Sequence, residues 1–384
     1  MDHRQPLAVV VGTGLNALGV VRSLAQQQIP IVILGAEQDA ALASRYGEKR
    51  LIAATEGAPL VAGLHLIARA ARGKPVLFLT EEKSVQTVSE RRAEILPHFH
   101  CTLPDQQTLA ILLHKEGFQR RAQELGCAIP KAIHLRGEPD LAKLSTLRYP
   151  CVLKPAVKDY DYGARFQKAY VVESAAAAAT RFREIAPTLS DLIIQEWIEG
   201  NDADIYFCLQ YISREHVTVA SFVGRKLRSW PPRIGGTASC TAAPEFQGEL
   251  TAQTTDFFRQ AGFVGMGSME YKRDRRDGRF YMIEPTVGRT DFQEEVATIH
   301  GVNIPLAAYC HEVGLPPPIA SHSTVLKIWR DPVTDKWSAE QQPELLPPRG
   351  VAVVDAYFRL DDPRPWLVLL WSRIKGRVGA LIGA

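Results

Sequence analysis

The sequence predicts a mixed α/β protein, and three features of its first hundred residues support this class. An unbroken apolar run at Leu7–Val11 is followed by a helical stripe over Asn16–Gln28 and a second apolar run at Ile31–Leu34. Apolar strands without polar alternation are typical of a parallel sheet that is covered on both faces. Val76–Leu79 adds a further strand of this kind. We therefore expect an open α/β domain over residues 1 to about 100.

Composition and charge exclude several classes of function. The 45 Lys and Arg residues nearly balance the 42 Asp and Glu residues, and a net charge of +3 argues against a strongly basic nucleic-acid-binding protein. Hydrophobic residues make up 46% of the chain, too many for a largely disordered protein. The six cysteines form no CxxC pair, and the chain opens without the apolar run of a signal peptide. We therefore expect reduced thiols, no structural zinc and a cytoplasmic location.

From about Tyr149 the pattern changes to shorter strands separated by polar loops. Apolar runs at Cys151–Pro155, Leu192–Ile198 and Ile205–Ile212 precede a hairpin over Met266–Ile283. The whole chain has 384 residues, which is more than one compact core usually holds. We expect two or three domains that pack together.

Glycines follow the first strand in a pattern that is typical of phosphate-binding turns. Gly12-Thr13-Gly14-Leu15-Asn16-Ala17 fits G-x-G-x-x-[GA] between a strand and a helix. Glu37 lies near the position of the acidic residue that a dinucleotide site requires. Two alternatives remain: an NAD(P)-dependent oxidoreductase, or a tight strand–helix turn without a dinucleotide, which we favour.

Lys154 is a charged residue in an otherwise apolar strand. Burying an ammonium group is costly unless an anion or a carboxylate meets it. The alternative is a lysine at the strand end that reaches water. The segment Lys158–Arg165 is polar and rich in turn formers, and Lys168 closes it. Two lysines that flank such a loop would suit a polyphosphate.

Gln195-Glu196-Trp197-Ile198-Glu199-Gly200 lies at the end of an apolar strand. Where a strand leaves the core in this way, its backbone N–H and C=O groups can form hydrogen bonds with the edge of an adenine ring. Asp204, eight residues after Glu196, would then meet ribose hydroxyls. The alternative is an ordinary strand end with a polar cap.

Glu270 and Glu284 lie on either side of a predicted hairpin turn at Arg275–Arg279. A three-residue loop pairs Arg275 with Arg279 and Glu270 with Glu284, so both carboxylates share one face. A two-residue loop would place them on opposite faces. Adjacent carboxylates repel each other unless a cation lies between them, and hard oxygen ligands suit Mg²⁺.

A basic cluster lies in Gly224-Arg225-Lys226-Leu227-Arg228. Charged residues at a strand edge are usually just solvated. Strand alternation places Lys226 and Arg228 on one face, where the two cations could act together on an anion.

In their order, these segments resemble the ATP-grasp superfamily, particularly its carboxylate–amine (amino-acid) ligase branch. The resemblance covers the chain from about Leu7 to Gly314. Five short motifs in the right order carry it: Lys115 before Gly126 and Pro130, the strand Val152-Leu153-Lys154-Pro155, the Gln195–Gly200 hinge, the Gly224–Arg228 segment, and Glu270 with Glu284.

The resemblance implies an ATP-grasp fold with an N-terminal Rossmann-like pre-ATP-grasp domain. Residues 1–105 would form that domain and residues 106–190 the small ATP-grasp subdomain. Residues 191–315 would form the C-terminal subdomain with the Mg-ATP site, and residues 316–384 an extension. The Gly12–Asn16 turn would then belong to the carboxylate-substrate cleft.

The resemblance also implies the roles of individual residues. ATP would contact Lys115, Lys154, Lys168, Gln195, Glu196, Trp197, Ile198 and Asp204, with the lysines on phosphates. Mg²⁺ would bind Glu270, Glu284 and Thr286. Catalysis would use Lys226, Arg228 and Arg289.

The last strand departs from the pattern of the family, which usually has Glu-x-Asn-Pro-Arg. Here the segment is Glu284-Pro285-Thr286-Val287-Gly288-Arg289. Thr286 offers a hydroxyl where asparagine offers an amide oxygen, or else Asp291 takes that position. Arg289 comes one residue later than the pattern has it. A second alternative is therefore a catalytically weakened regulator that binds ATP.

The reaction that the resemblance implies is amide formation through an acyl phosphate, with release of ADP and phosphate. The partners would be a small carboxylate and an amine, with an amino acid or a small peptide as the default and no nucleic acid. The cofactors would be ATP and Mg²⁺.

The C-terminal segment Pro365–Ala384 has apolar residues at helical spacing and basic residues off that face. A basic amphipathic helix with tryptophans can lie on a membrane surface, which would make the protein peripheral. The alternative, which we favour, is that it docks on the core of the protein or on a partner in a homodimer.

Overall fold

The computed structural model describes residues 5–36, 39–156, 165–167, 169–321, 323 and 325–371, and the statements below concern these. They form two compact units. The larger unit contains the chain up to Leu109, Tyr206–Ser268 and the chain from Thr286 onward. The smaller unit contains Ala110–Ile205 and Met269–Pro285. The division differs from the linear boundaries predicted at 105, 190 and 315, because the tip of one hairpin belongs to the smaller unit.

The larger unit begins with a parallel sheet, which confirms the interpretation of the unbroken apolar strands. Its strands have the order β3-β2-β1-β4, and each neighbouring pair is parallel. The strands are β1 (Ala8–Val11), β2 (Ile31–Gly35), β3 (Glu48–Leu51) and β4 (Val76–Leu79). The helices around them are α1 (Leu15–Ala25), α2 (Ala40–Ala43), α3 (Gly57–Ala70), α4 (Glu82–Glu90) and α5 (Arg92–Ile95), with a 3-10 turn at Leu96–His98.

Two helices lead from this sheet to the smaller unit, which is built on an antiparallel sheet of order β5-β8-β6-β7. The helices are α6 (Gln106–Leu113) and α7 (Lys115–Glu124). The remaining elements are β5 (Ala132–Leu135), a 3-10 segment (Glu138–Thr146), β6 (Cys151–Pro155), β7 (Tyr170–Val172), α8 (Ala175–Ile185) and β8 (Leu192–Glu196). One sheet face forms an apolar core with Phe182 and Ile185 of α8, and the Ser174 hydroxyl caps that helix.

A seven-stranded sheet of order β13-β12-β9-β10-β11-β14-β15 completes the fold. Its strands are β9 (Ile205–Ile212), β10 (Thr218–Trp230), β11 (Gly236–Ala242), β12 (Gly265–Arg273), β13 (Phe280–Val287), β14 (Lys327–Arg330) and β15 (Ala352–Asp355). The helices are α9 (Gln247–Gln260), α10 (Glu295–Ile299), α11 (Ile304–Glu312) and α12 (Thr334–Gln341), with 3-10 turns at Asp202–Asp204 and Pro244–Phe246.

Two strands after residue 316 belong to the large sheet, although the sequence pattern weakens there. β14 pairs antiparallel with β11, and β15 pairs parallel with β14. Trp329 is 1% exposed, and its indole N–H donates to the Glu295 carboxylate (3.1 Å). The two strands have four residues each and mix polar with apolar side chains, so periodicity does not reveal them.

The C-terminal helix begins where the sequence predicts it, because residues 364–371 are helical. Leu367 and Trp371 are 53% and 60% exposed. The rest of the amphipathic segment, 372–384, lies outside the described residues. None of the helices in the described ranges is long and apolar enough to span a bilayer. Membrane-surface contact and a homodimer remain predictions.

Glu294 is a carboxyl group buried beneath α1. It is 1% exposed, and within the described part of the chain no group donates a hydrogen bond to its Oε2. Burial, together with the neighbouring Glu295 carboxylate, raises the pKa of Glu294 to about 8. The folded protein therefore holds this proton at pH values at which the unfolded chain releases it.

We expect Glu294→Gln to flatten the pH dependence of stability. Between the ordinary pKa of 4.5 and about 8, the wild type loses unfolding free energy as pH rises, by at most about 1.4 kcal/mol per pH unit. The glutamine variant lacks this loss, so its stability relative to wild type should be higher at pH 8 than at pH 5 in urea titrations. The exposed Glu249→Gln should show no such change. An equal difference at both pH values would contradict the buried neutral carboxyl.

Candidate active site

Lys154 and Gln195 lie together on one face of the antiparallel sheet in the smaller unit. Lys154 of β6 pairs with Ile193 of β8, and its Nζ donates to Gln195 Oε1 on the diagonal (3.1 Å). Gln195 is 6% exposed, and Lys154 is half-buried. The neighbouring β6 residues Cys151 and Leu153 point to the other face, into the apolar core. Alternation thus keeps the ammonium group away from that core and next to a polar partner.

The hinge after β8 is held by backbone hydrogen bonds. The Trp197 N–H donates to Pro150 O (3.0 Å), and the Glu196 N–H donates to Lys131 O (2.9 Å). The Glu196 carboxylate accepts from the Arg148 N–H (2.9 Å). The predicted adenine-binding segment is therefore a rigid strand end beside the Lys154–Gln195 pair.

Asp204 closes the hinge loop. Its carboxylate accepts from the Asn201 N–H (2.8 Å) and forms an ion pair with Arg275 (2.7 Å). Gly200 has a φ of +149°, and a Cβ there would lie 2.7 Å from the Asp204 carboxylate. Glycine is therefore required where the chain bends over Asp204. A ribose at the predicted position would share the carboxylate with the Arg275 guanidinium.

The hairpin loop between β12 and β13 contacts the same hinge loop. The Arg275 N–H donates to Glu199 O (3.1 Å), and the Lys272 ammonium donates to Asn201 O (2.5 Å). The Arg276 guanidinium contacts the buried Asp274 carboxylate. This contact holds the pKa of Asp274 below its usual range, although burial alone would raise it. Basic residues of the turn thus fix the hinge, a role that the sequence did not reveal.

The turn itself differs from the predicted three-residue loop. The Asp274 N–H donates to Arg279 O (2.9 Å), and the Gly278 N–H donates to Asp274 O (2.8 Å). The loop therefore has the four residues Arg275–Gly278, and the predicted pairing of Arg275 with Arg279 is wrong. Gly278 adopts a φ of +71°, which allows the extra residue to fit.

This register determines whether the side chains of Glu270 and Glu284 lie on the same face of the hairpin. A regular ladder from the turn places Glu270 opposite Ile283 and Glu284 opposite Met269, on alternate faces. A β-bulge in this stretch would be needed to bring both carboxylates to the same face. Burial alternates regularly along β13 up to Ile283 and then changes phase, because Ile283 is half-buried and Glu284 is exposed. That Glu270 and Glu284 share one face stays a prediction.

The other nucleotide-binding candidates are distributed as follows. Lys115 is the first residue of α7 and is half-buried; the ring of His114 before it caps the helix. Ile198 is buried at the hinge. Lys168 lies outside the described residues, as do most of the predicted loop before it and Glu37.

In the larger unit, Lys226 and Arg228 have different environments. Their strand pairing with β11 shifts between the two residues, and both side chains are nearly buried. The Lys226 ammonium contacts Gly235 O (3.4 Å). Burial raises the pKa of the Cys240 thiol, while Lys226 lowers it and Asp291 raises it, which places both charges near Cys240. Lys226 and Asp291 therefore both lie within electrostatic range of the Cys240 thiol.

Arg228 instead belongs to a buried ion pair. Its guanidinium donates to the Asp335 carboxylate (3.0 Å) and to Leu345 O (2.6 Å), and the Ser239 hydroxyl donates to the same carboxylate (2.6 Å). These contacts tie β10 to α12. The contacts favour a role in stability for Arg228, and the catalytic roles of Arg228, Lys226 and Arg289 stay predictions.

We expect Arg228→Met to lower the unfolding free energy by about 3 kcal/mol, because it leaves the Asp335 carboxylate buried without its cation. The protein that remains folded should keep the ATP affinity of the wild type. Lys226→Met should show the opposite pattern, with lost activity and a small change in stability. Chemical denaturation and nucleotide titration measure the two effects. Normal stability with lost activity in Arg228→Met would restore the catalytic assignment.

After β13, the chain forms a tightly bonded turn against the glycine motif. The Arg289 guanidinium donates to Thr290 O (3.0 Å), and the Asn16 amide donates to the same oxygen (2.8 Å). Asp291 accepts from the Ser268 hydroxyl (3.0 Å) and the Gln293 amide (3.1 Å). The sequence drew attention to the glycine motif but missed Asn16, whose side chain turns toward Thr290. This arrangement gives no support to the oxidoreductase alternative.

The donors near Glu284 fit magnesium in chemical type. Glu270 and Glu284 offer carboxylate oxygens, and Thr286, two residues further along β13, offers a hydroxyl. Hard oxygen donors with room for water are what Mg²⁺ prefers. Glu270 and Thr286 are half-buried, and Glu284 is exposed. Across the described ranges, no group of three or more His, Cys, Asp or Glu side chains could hold a metal.

Known proteins provide an independent comparison. No protein-family model matches the chain. The chain is 22% identical over 242 residues to a D-aspartate ligase from Enterococcus faecium (strain Aus0004), a match that covers 60% of this chain and 57% of that protein. It is 28% identical over 194 residues to a D-alanine–D-alanine ligase from Alkalilimnicola ehrlichii (strain ATCC BAA-1101 / DSM 17681 / MLHE-1), covering 48% and 59%. The chain thus spans less than two thirds of the length of these relatives.

A comparison with solved structures identifies the fold. The ADP complex of N5-carboxyaminoimidazole ribonucleotide synthetase superposes with a TM-score of 0.64 at 13% identity, over 83% of this chain and 80% of that one. The predicted mixed α/β class is confirmed. The chain has the fold of this structural neighbour, so the predicted ATP-grasp fold is confirmed.

Proposed function

We propose that the protein is an ATP-dependent carboxylate–amine ligase that forms an amide bond and releases ADP and phosphate. The observation that carries this proposal is the Lys154–Gln195 contact on the sheet face that runs into the hinge (3.1 Å). A lysine ammonium group is a compact cation that binds phosphate oxygens, and the Gln195 contact holds it on this face. The names of the two relatives support ligation of amino acids.

The smaller unit would bind the nucleotide. Lys115 and Lys154 would contact phosphates, and the hinge from Glu196 to Ile198 would meet the adenine edge. Asp204, already fixed by Arg275, would accept from a ribose hydroxyl. Glu270 and Glu284, with Thr286, would hold Mg²⁺. Mg²⁺ held there would neutralise charge on the transferring phosphoryl group.

The larger unit would bind the acid. The Arg289 guanidinium donates to Thr290 O and the Lys226 ammonium contacts Gly235 O, so each cation has a defined position from which it would bind the carboxylate of the acid. An oxygen of the carboxylate attacks the γ-phosphorus, and the bond to the ADP oxygen breaks. The amine nitrogen then attacks the acyl carbon, loses a proton and expels phosphate. Positioned cations accelerate the first step by stabilising the charge that develops.

The substrate class is the finer part of the proposal. We infer that the acid or the amine is an amino acid, because both relatives carry D-amino-acid ligase names. The test is an ADP-release screen with ATP and Mg²⁺ over pairs of carboxylates and amines that includes both enantiomers of each amino acid. ADP release that requires both members of a pair is expected. Release with one member alone would indicate a different transferase or a hydrolase.

A catalytically weakened regulator is the second candidate, and Thr286 is the observation that favours it. A hydroxyl is a weaker metal ligand than the amide oxygen of the family pattern. This candidate predicts ATP binding by calorimetry without ADP release for any acid–amine pair. Thr286→Asn would then be expected to restore turnover, whereas the ligase proposal predicts turnover in the wild type.

A further inference from the structure

Asn16 uses its whole side-chain amide to join two distant segments of the larger unit. Its Nδ2 donates to Thr80 O (2.9 Å) and to Thr290 O (2.8 Å), and its Oδ1 accepts from the Thr290 hydroxyl (2.5 Å). Asn16 is 8% exposed and Thr290 is 4% exposed. A primary amide has two N–H donors, and both have a partner here. No smaller side chain at this position could replace these contacts.

The oxygen that Asn16 holds is also the acceptor for Arg289. Arg289 Nη1 donates to Thr290 O at 3.0 Å, beside the Asn16 amide at 2.8 Å. A carbonyl oxygen has two lone pairs, so both donors can bind at once. The direction of this carbonyl therefore sets the position of the guanidinium, and Asn16 sets the direction of the carbonyl.

The backbone at Thr80, to which the Asn16 amide donates, is held in place by close contacts with the first strand and the glycine turn. The Thr80 hydroxyl donates to Val11 O (2.7 Å), and Gly12 with a φ of +125° packs so closely that a Cβ there would lie 2.1 Å from Thr80 Oγ1. Thr80 O, the other acceptor of the Asn16 amide, is thereby held in place. Movement of the Asn16 side chain would remove its hydrogen bond to Thr80 O and one of the two donors to Thr290 O, which costs free energy.

We propose that Asn16 is a positioning residue that orients Arg289 toward the acid substrate. This inference rests on the proposed ligase function, in which Arg289 contacts the carboxylate or its acyl phosphate. The glycine motif thus serves the reaction through a side-chain amide that fixes a catalytic cation. A shift of such a cation by about 1 Å can cost on the order of 100-fold in rate.

A double-mutant cycle between Asn16 and Arg289 tests the proposal. Asn16→Ala is expected to lower kcat/KM for the acid by roughly 10- to 100-fold while KM for ATP stays within about 2-fold. In an Arg289→Ala background the same change should have less than about a 3-fold effect, because the residue through which Asn16 acts is gone. An equal loss in both backgrounds would overturn the proposal. Asn16→Ser, which is too short to reach Thr290 O, serves if the alanine variant does not fold.

Ser23→Ala is the matched control for stability. Ser23 also lies on α1 and joins it to the segment after β13 through Thr298 (2.8 Å, both buried). Its loss should lower Tm to a similar extent without a change in kcat/KM. A similar loss of kcat/KM in both variants would reduce Asn16 to a structural role.

A crystal structure of the Asn16 variant separates this inference from the proposed function. We expect the Arg289 guanidinium to leave Thr290 O in that structure; an unchanged contact would overturn the positioning role. If the wild type releases no ADP with any acid–amine pair, the ligase proposal fails, and the displacement of Arg289 still decides the structural claim.

Discussion

Replacing Glu284 with glutamine is expected to lower ATP-dependent ADP release by at least about 100-fold. The change keeps the volume of the side chain but removes one of two carboxylates that would balance the charge of the divalent cation. Phosphoryl transfer depends on positioning and on neutralising charge, so the loss should appear mainly in kcat. A coupled assay for ADP, run at saturating ATP and Mg²⁺, measures it.

Asp277→Asn provides the control for this change. Asp277 is an exposed carboxylate at the tip of the same hairpin, where it bonds the Arg279 N–H (2.9 Å) and the Tyr281 hydroxyl (3.1 Å). Its neutralisation should leave ADP release close to the wild-type rate. Full activity in Glu284→Gln, or an equal loss in both variants, would remove Glu284 from the metal site.

Arg22→Met is expected to lower the unfolding free energy by about 3–5 kcal/mol. The Arg22 guanidinium is 6% exposed and donates to Ala356 O (2.7 Å), Tyr357 O (2.7 Å) and the Asp362 carboxylate (3.0 Å). Methionine fills the space but leaves the fully buried Asp362 charge without its cation. Urea titration followed by tryptophan fluorescence measures the loss.

Arg183→Met is the matched control, because it removes an arginine with a bidentate carboxylate partner at the surface. Arg183 contacts Glu138 at 2.8 and 2.9 Å, and both side chains are exposed. Because solvent screens such an exposed pair, it contributes little to the free energy of unfolding, and the urea midpoint should hardly change. Comparable losses in the two variants would show that burial of the Arg22 network contributes little.

The sequence was most informative where periodicity reports directly on structure. Unbroken apolar strands predicted the parallel sheet, and the polar end of Leu192–Ile198 marked the hinge that β8 enters. Lys154 was recognised because an ammonium group in an apolar strand requires a polar partner, and Gln195 is that partner. These inferences depend on differences in polarity between residues that are close in the chain, and a single sequence shows such differences.

Tertiary partners decided the features that the sequence did not reveal. Arg228 has the pattern of a catalytic cation, but Asp335, 107 residues later, binds it in a buried pair. One additional residue in the loop before Arg279 changed the register of the hairpin. Asn16 is at an unspecified position of the G-x-G-x-x-[GA] pattern, although its amide binds Thr290 at a separation of 274 residues. Contacts of this range leave no local trace in the sequence.

The most direct test of the account is a crystal structure with Mn²⁺ and a non-hydrolysable ATP analogue, with Mn²⁺ located by its anomalous scattering. We predict Mn²⁺ bound by oxygens of both Glu270 and Glu284, with the terminal phosphate within hydrogen-bonding distance of Lys154. Glu270 and Glu284 on opposite faces of their strands, or Mn²⁺ bound away from both, would contradict the proposed site.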